Sequence, residues 1–322
     1  MDFSLCCHSS VRFLNHVIMM YEAAPGAYFN FGDGGMNESA ISLDFGLQSD
    51  LFWDPLNETA FEAAYKNGFR FFEIWGHVPW FDIYSASMAN EVKKMASDCG
   101  MWIRSVHSPC EGGSDISSES TSTRRKSVSE VVLSIENCRK MGGTIVVVHP
   151  GGSLNSTDKT AQYEHDRRIS NSIRSFEEIE RIAADNGVRI AVENLCANDV
   201  GGSEKHFLRL LEALNPRIFG ICFDSSHANI NPGTFEMFRR VSHPIITTHL
   251  SDNHGAYDEH KPPFTASVDW NATIELILRN GYHGPWLLEV TNGGADPLEV
   301  LAVMRNSAEK LKELICRKEK NI

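Results

Sequence analysis

The sequence predicts an α/β fold, a closed (β/α)8 TIM barrel. Three observations predict it. From residue 41 onward, short apolar runs alternate eight times with longer stretches of helical spacing. Several of those stretches end in a glycine just before the next apolar run, at Gly68, Gly100, Gly142, Gly187 and Gly281, which suits helix C-caps. The first run leads into FGLQSDLFWD (45–54). That turn lacks the glycine fingerprint an open, doubly wound nucleotide-binding sheet would need there.

Residues 1–40 read differently from the rest. NFGDGGMNESA (30–40) is glycine-rich and loop-like, and residues 11–21 suit a short amphipathic helix. We assign 1–40 to an N-terminal extension and 41–322 to the barrel, the catalytic domain. Expected strands are ISLDFGL (41–47), FRFFEI (69–74), WIRSVH (102–107), TIVVVH (144–149), VRIAVE (188–193), IFGICFD (218–224), PIITTH (244–249) and PWLLEV (285–290). They are short and apolar, as strands buried on both faces are. Expected helices lie near 55–67, 86–99, 121–141, 163–186, 204–214, 234–240, 269–280 and 296–318.

Composition narrows the function. The 322 residues are 42% hydrophobic and 22% charged, ordinary for a globular chain. A formal net charge of −12 disfavours general binding to nucleic acid or anionic membranes. No apolar run approaches the length of a membrane span. The eight cysteines form no CxxC pair, which argues against a cysteine zinc site and for reduced thiols in a cytoplasmic protein. Association into a homo-oligomer stays open.

Chemistry collects at the strand ends. Strand two finishes near Glu73, strand three at His107, strand four at His149 and strand five at Glu193. Strand six ends at Asp224 with His227 just beyond, strand seven at His249 and strand eight at Glu289. With 42 acidic residues and 13 histidines in 322, about one position in six would match by chance. In a barrel these ends surround one mouth, where reacting groups sit. A lone histidine there is ordinarily a hydrogen-bonded core residue, and a lone glutamate a helix cap. Together, so many carboxylates would repel one another unless a cation joins them. Imidazole with carboxylate suits zinc, manganese, cobalt or iron better than calcium. Glu73 is open between a substrate contact and a structural hydrogen bond. Trp75 and Trp80, in the aromatic loop WGHVPWFDIYSA (75–86), either stack on a sugar face or cover the rim.

The motifs VEN (192–194), FDSSH (223–227), HLSDN (249–253) and LLEV (287–290) occur in order, one per strand. They resemble the xylose-isomerase-like TIM-barrel superfamily over about Ile41–Leu314. In its epimerase branch, the resemblance implies one manganese-like ion on Glu193, Asp224, His249 and Glu289. Glu193 and Glu289 would act as an acid–base pair through a metal-stabilised enediolate, with His227 on a substrate oxygen. The endonuclease IV branch implies three zinc ions. His107, His149 and Glu193 would hold the first. Asp224, His249 and Glu289 would hold the second, bridged by Glu193, and His227, Asp258 and His260 the third. The alternative for Asp258 and His260 is a solvated loop.

The DNA-gripping features of that branch do not appear. Loop 75–86 has no Lys or Arg, and SPCEGGSDISSES (108–120) is acidic. The segments HSP (107–109), HPGG (149–152), HLSDNHG (249–255), DEH (258–260) and VDW (268–270) resemble superfamily members described as sugar phosphate isomerases or epimerases. KPPFTAS (261–267) departs from their glycine-rich stretch. The expected function is therefore a divalent-metal-dependent isomerase or epimerase of a small carbohydrate or sugar phosphate, with one to three ions, manganese or zinc foremost. An endonuclease-IV-like zinc phosphoesterase and a non-catalytic, metal-stabilised sugar binder are the alternatives.

Overall fold

A computed structural model describes residues 41–52, 55–155, 161–231 and 233–320. The expected N-terminal extension, 1–40, lies outside the described residues. Eight parallel strands alternate with helices: β1 (Phe45–Gln48), α1 (Glu58–Lys66), β2 (Phe71–Trp75), α2 (Met88–Asp98), β3 (Trp102–His107), α3 (Thr121–Met141), β4 (Ile145–Val148), α4 (Ala161–Asn186), β5 (Arg189–Glu193), α5 (Glu204–Glu212), β6 (Phe219–Asp224), α6 (Ser225–Ile230), α7 (Thr234–Phe238), β7 (Ile245–His249), α8 (Trp270–Arg279), β8 (Trp286–Leu288) and α9 (Pro297–Glu319). The sheet runs β7-β6-β5-β4-β3-β2-β1-β8. Its two ends meet where Leu250 N donates to Leu287 O at 3.0 Å and Glu289 N to Leu250 O at 3.3 Å. That join makes the sheet a nearly closed barrel.

Local chemistry sets the boundaries. Asn57, Ser120, Asp269 and Asp296 cap their helices through side-chain oxygens, satisfying N–H groups that the first turn leaves unpaired. The five expected glycines after helices all adopt positive φ; Gly142, at φ 91, closes α3 as a left-handed cap. Inside the barrel, Ile145, Val147, Ala191, Cys222 and Ile246 form an apolar cluster. Outside it, Phe61 meets Phe72 and Phe223 meets Phe238, each pair at 4.8 Å between centroids. Fully burying such rings stabilises by roughly 1.5–3 kcal/mol each.

Two details differ from the expected elements, and both shape the site. β1 starts at Phe45 and runs on to Gln48. The preceding segment is instead pinned to the last strand, with Ser42 N donating to His283 O and Trp286 N donating to Asp44 O. A short helix, α6, follows β6 immediately because the Asp224 side chain caps it, accepting from His227 N at 2.5 Å. The spacing in FDSSH is thus that of an N-cap and the residue three places on.

Candidate metal centre

Register brings the strand ends level. Gln48 pairs with Glu73, Trp75 with His107, Glu193 with Cys222 and Asp224 with His249. Register shifts lie between Phe72 and Glu73 and between Ile221 and Cys222, each within two residues of its strand's end. Such irregularities re-aim the side chains that follow them.

Glu193, Asp224, His249 and Glu289, all buried, each offer a ligating atom, and these atoms lie within 4.8 Å of one another. Asp224 Oδ2, His249 Nδ1 and Glu289 Oε2 are buried without a hydrogen bond. His249 Nδ1 comes within 3.0 Å of Glu289 Oε2, yet the pair is not aligned to bond. Buried polar atoms are nearly always satisfied. Three unsatisfied ones converging from three strands are what a cation site requires, and one imidazole with three carboxylates is a borderline-hard donor set. The residues present fit a divalent ion of the zinc or manganese kind.

The remaining expected ligands flank this group on both sides. His107 Nε2 and His149 Nε2 each lie 3.3 Å from Glu193 Oε2. On the other side, His227 Nε2 and His260 Nε2 lie 3.1 and 2.8 Å from Asp258 Oδ2, and His260 Nδ1 lies 3.8 Å from Glu289 Oε2. His227 Nδ1 is 3.3 Å from Glu193 Oε1 and 3.4 Å from Asp224 Oδ1. All nine expected metal residues therefore meet in one mouth.

Electrostatics agree with this crowding. Burial alone would lower the histidines, but facing groups hold His107 (Glu193, then the Cys110 sulfur), His227 (Asp224 and Asp258) and His249 (the Cys222 sulfur, then Glu289 and Glu73) above the usual imidazole range, and Asp258 and Glu289 push His260 up to about 10. Burial alone would raise Glu193, Asp258 and Glu289; the imidazoles hold all three below the ordinary carboxylate range, Glu289 at about 2. Asp224 goes the other way, to about 7, because burial and its acidic neighbours outweigh His227. Several carboxylates in one pocket need positive charge, and either imidazolium or a divalent cation supplies it.

Glu73 sits among structural hydrogen bonds. It is fully buried; Oε1 bonds His249 Nε2 at 2.9 Å and accepts from Gln48 Nε2, while Oε2 accepts from Ser105 Oγ at 2.7 Å. A carboxylate behind an imidazole fixes the ring and its tautomer. Trp75 packs at the mouth, 4.5 Å from the His107 ring and 4.9 Å from His77. Trp80 ties its loop to the β1 loop, donating Nε1–H to Phe52 O.

Several residues of the site escape sequence reasoning. Gln48 Nε2 donates to Glu289 Oε1 at 2.7 Å as well as to Glu73. Asp50, one turn beyond β1, holds a buried Oδ1 without a partner; burial and then Glu289 push its carboxyl up to about 7. Asn194 clasps the backbone of Asp224, donating to its carbonyl and accepting from its N–H. Asp252 organises the DEH loop: it accepts from the N–H groups of Asn253, Thr265, Ala266 and Val268 and from Trp270 Nε1. Its backbone pairs both ways with Lys261, and Ser226 Oγ donates to Asp258 Oδ1 at 2.6 Å. This holds His260 at φ 45, a left-handed conformation that costs a non-glycine residue roughly 1–2 kcal/mol. Only the SDN within HLSDN hinted at Asp252, and it lies beyond the strand end.

A family model described as "xylose isomerase-like TIM barrel" matches residues 61–314. The chain belongs to the xylose isomerase-like TIM barrel family. An uncharacterised protein of Methanocaldococcus jannaschii is 26% identical over 253 residues, 77% of this chain and 74% of that protein. One from Sinorhizobium fredii is 31% identical over 154 residues, 47% of this chain and 48% of its own length, so the chain spans about half of that relative. Among solved structures, a D-tagatose 3-epimerase-like protein superposes with TM-score 0.70 at 23% identity, covering 84% of this chain and 98% of that one. An L-ribulose 3-epimerase gives 0.69 at 17%, covering 88% and 97%. The IolI protein with a bound zinc atom gives 0.70 at 14%, covering 85% and 98%. Among the described residues, no helix is long and apolar enough to cross a membrane.

Proposed function

We propose that the protein is a divalent-metal-dependent isomerase or epimerase of a sugar or sugar phosphate. The observation that carries this reading is the convergence of unbonded Asp224, His249 and Glu289 atoms beside Glu193. Glu193, Asp224, His249 and Glu289 would hold the ion, which when bound polarises neighbouring substrate oxygens and offsets negative charge developing there. Glu289 is the base suited to remove a proton from carbon next to a carbonyl. Gln48 anchors one of its oxygens at 2.7 Å, and the other is the unbonded one, 3.0 Å from His249 Nδ1. Glu193 is the partner acid, its carboxylate set between imidazoles on both sides. His227 stands in reach of a substrate oxygen, its ring steadied by Asn194 O at 2.9 Å. Trp75 offers a ring face to a sugar, and the unbonded oxygen of Asp50 offers a partner to a hydroxyl.

A second reading keeps one specific support. The pairs His107–His149 and His227–His260 each gather on a single carboxylate oxygen, of Glu193 and of Asp258. That pattern suits three ions and an endonuclease-IV-like zinc phosphoesterase. Against it stands the lack of lysine or arginine in loop 75–86.

The test is turnover of a ketose panel, free and phosphorylated, in deuterated water with manganese or zinc. Deuterium entering the substrate carbon, and lost in Glu289→Gln, supports the isomerase. Release of phosphate or cleavage of abasic DNA with no carbon exchange would sink it.

A further inference from the structure

We propose that Cys110 is a metal ligand of this protein, completing with His107 and His149 a sulfur-bearing zinc subsite beside the Glu193 carboxylate. The proposal rests on the reading of the barrel mouth as a metal centre and adds a donor to it. One ligating atom from each of His107, Cys110 and His149 lies within 4.8 Å of the other two. Both imidazoles already present Nε2 to a common atom, Glu193 Oε2, each at 3.3 Å. His107 is fixed in that orientation because its Nδ1 bonds the Ser108 carbonyl at 2.9 Å, the usual way a protein selects the metal-facing nitrogen.

The cysteine is also placed, not merely near. Its backbone N–H donates to His77 Nε2 at 3.2 Å, and Glu111 N approaches the same nitrogen at 3.4 Å. Trp75 stacks on His77 and packs against His107. Gly76 N donates to His107 O at 2.9 Å, and a Cβ at Gly76 would meet that oxygen at 2.5 Å. The loops after β2 and β3 are therefore locked together with Cys110 at their junction. Burial pushes the thiol up to about 12, so as a free group it is a poor nucleophile.

Two imidazoles and a thiolate make a three-donor set suited to zinc, which leaves the fourth tetrahedral position open beside Glu193. Manganese and magnesium favour oxygen-rich sites. The mouth thus offers two unlike neighbouring positions: one rich in carboxylates at Asp224, His249 and Glu289, and one with nitrogen and sulfur donors at His107, His149 and Cys110. Binding at the second displaces the thiol proton and forms a metal–sulfur bond, with no change in oxidation state.

Cobalt(II) titration of the full chain tests this by absorbance. The wild type should show visible cobalt bands together with a near-ultraviolet thiolate-to-cobalt band. Cys110→Ser should lose the ultraviolet band, keep the visible ones, and hold zinc at that position about tenfold or more weakly. Cys222→Ser is the control, because the Cys222 sulfur also lies within 4.8 Å of ligating atoms of Glu193 and His249; it should keep the band. Alkylation of Cys110 in the wild type, followed by mass spectrometry, should slow on adding zinc, a readout that needs no variant to fold. Cobalt binding without a thiolate band, or a band that persists in Cys110→Ser or vanishes in Cys222→Ser, overturns the cysteine ligand and leaves the metal centre standing. No cobalt binding at all overturns both.

Discussion

Glu193, Asp224, His249 and Glu289 leave the barrel at or just beyond the ends of paired strands, whereas Asp258 and His260 reach the same mouth on a loop. The first group inherits its position from the ladder. Asp224 and His249 are register partners, and Glu289 N is itself bonded across the seam to Leu250. The second group depends on one carboxylate, Asp252, which gathers four N–H groups and an indole N–H. A strand-borne ligand can be displaced only by disturbing the barrel. A loop-borne ligand can be lost while the barrel stays whole.

The largest expected effect of breaking that contrast is on the strand side. Glu289→Gln keeps the shape and removes the proposed base, so turnover should fall by roughly 10²–10⁴-fold with thermal stability little changed. A variant within a few-fold of wild type in the deuterium-exchange assay would remove Glu289 from the chemistry. On the loop side, Asp252→Ala strips acceptors from buried donors. It should destabilise by on the order of 1–3 kcal/mol, read in denaturant melts. If the three-ion reading holds, it should also cost the ion proposed for Asp258 and His260 while the ion proposed for the strand ends remains. Loss of all bound metal, counted by elemental analysis, would show that the two groups are not separable.

Acidity sharpens the same comparison. His260 is raised to about 10 and Asp224 to about 7, so at neutral pH metal uptake must displace protons. Affinity should therefore rise with pH, about tenfold per unit for each proton released. Calorimetric titrations in buffers of different ionisation enthalpy should give a proton count above zero for the wild type and a smaller one for His260→Ala. Equal counts would assign the protons to the strand side. The smallest effect expected is at the rim. Trp75→Ala should raise KM by a few-fold with kcat little changed, in line with about 0.5–1.5 kcal/mol for an aromatic contact. An unchanged KM would leave Trp75 as packing for His107 and His77.

Much of the site was legible because barrel chemistry sits where apolar runs stop. His107, Glu193, Asp224 and His249 could be found by reading the last polar residue of each run, and the DEH spacing exposed Asp258 and His260. Gln48 and Asp50 were not legible. The first apolar run stops at Leu47, and glutamine is not a ligand type. Asn194 and Ser226 were visible only as letters within VEN and FDSSH; their work is to hold a backbone and a carboxylate that lie far away in sequence. Glu73 could not be assigned from sequence, because a buried carboxylate behind a histidine and one facing substrate look the same in a strand-end pattern.

Residue order alone determined the eight-fold alternation, the helix stops at glycine, and the kinds of donor at each strand end, since these depend on side-chain polarity and local backbone preference. Tertiary structure decided which donors share an oxygen, which histidine nitrogen faces inward, and that Cys110 joins His107 and His149. Those relations depend on strand register, on the shifts at Glu73 and Cys222, and on loops clasped by Asp252. Contacts of that kind exist only once the sheet has curled round on itself.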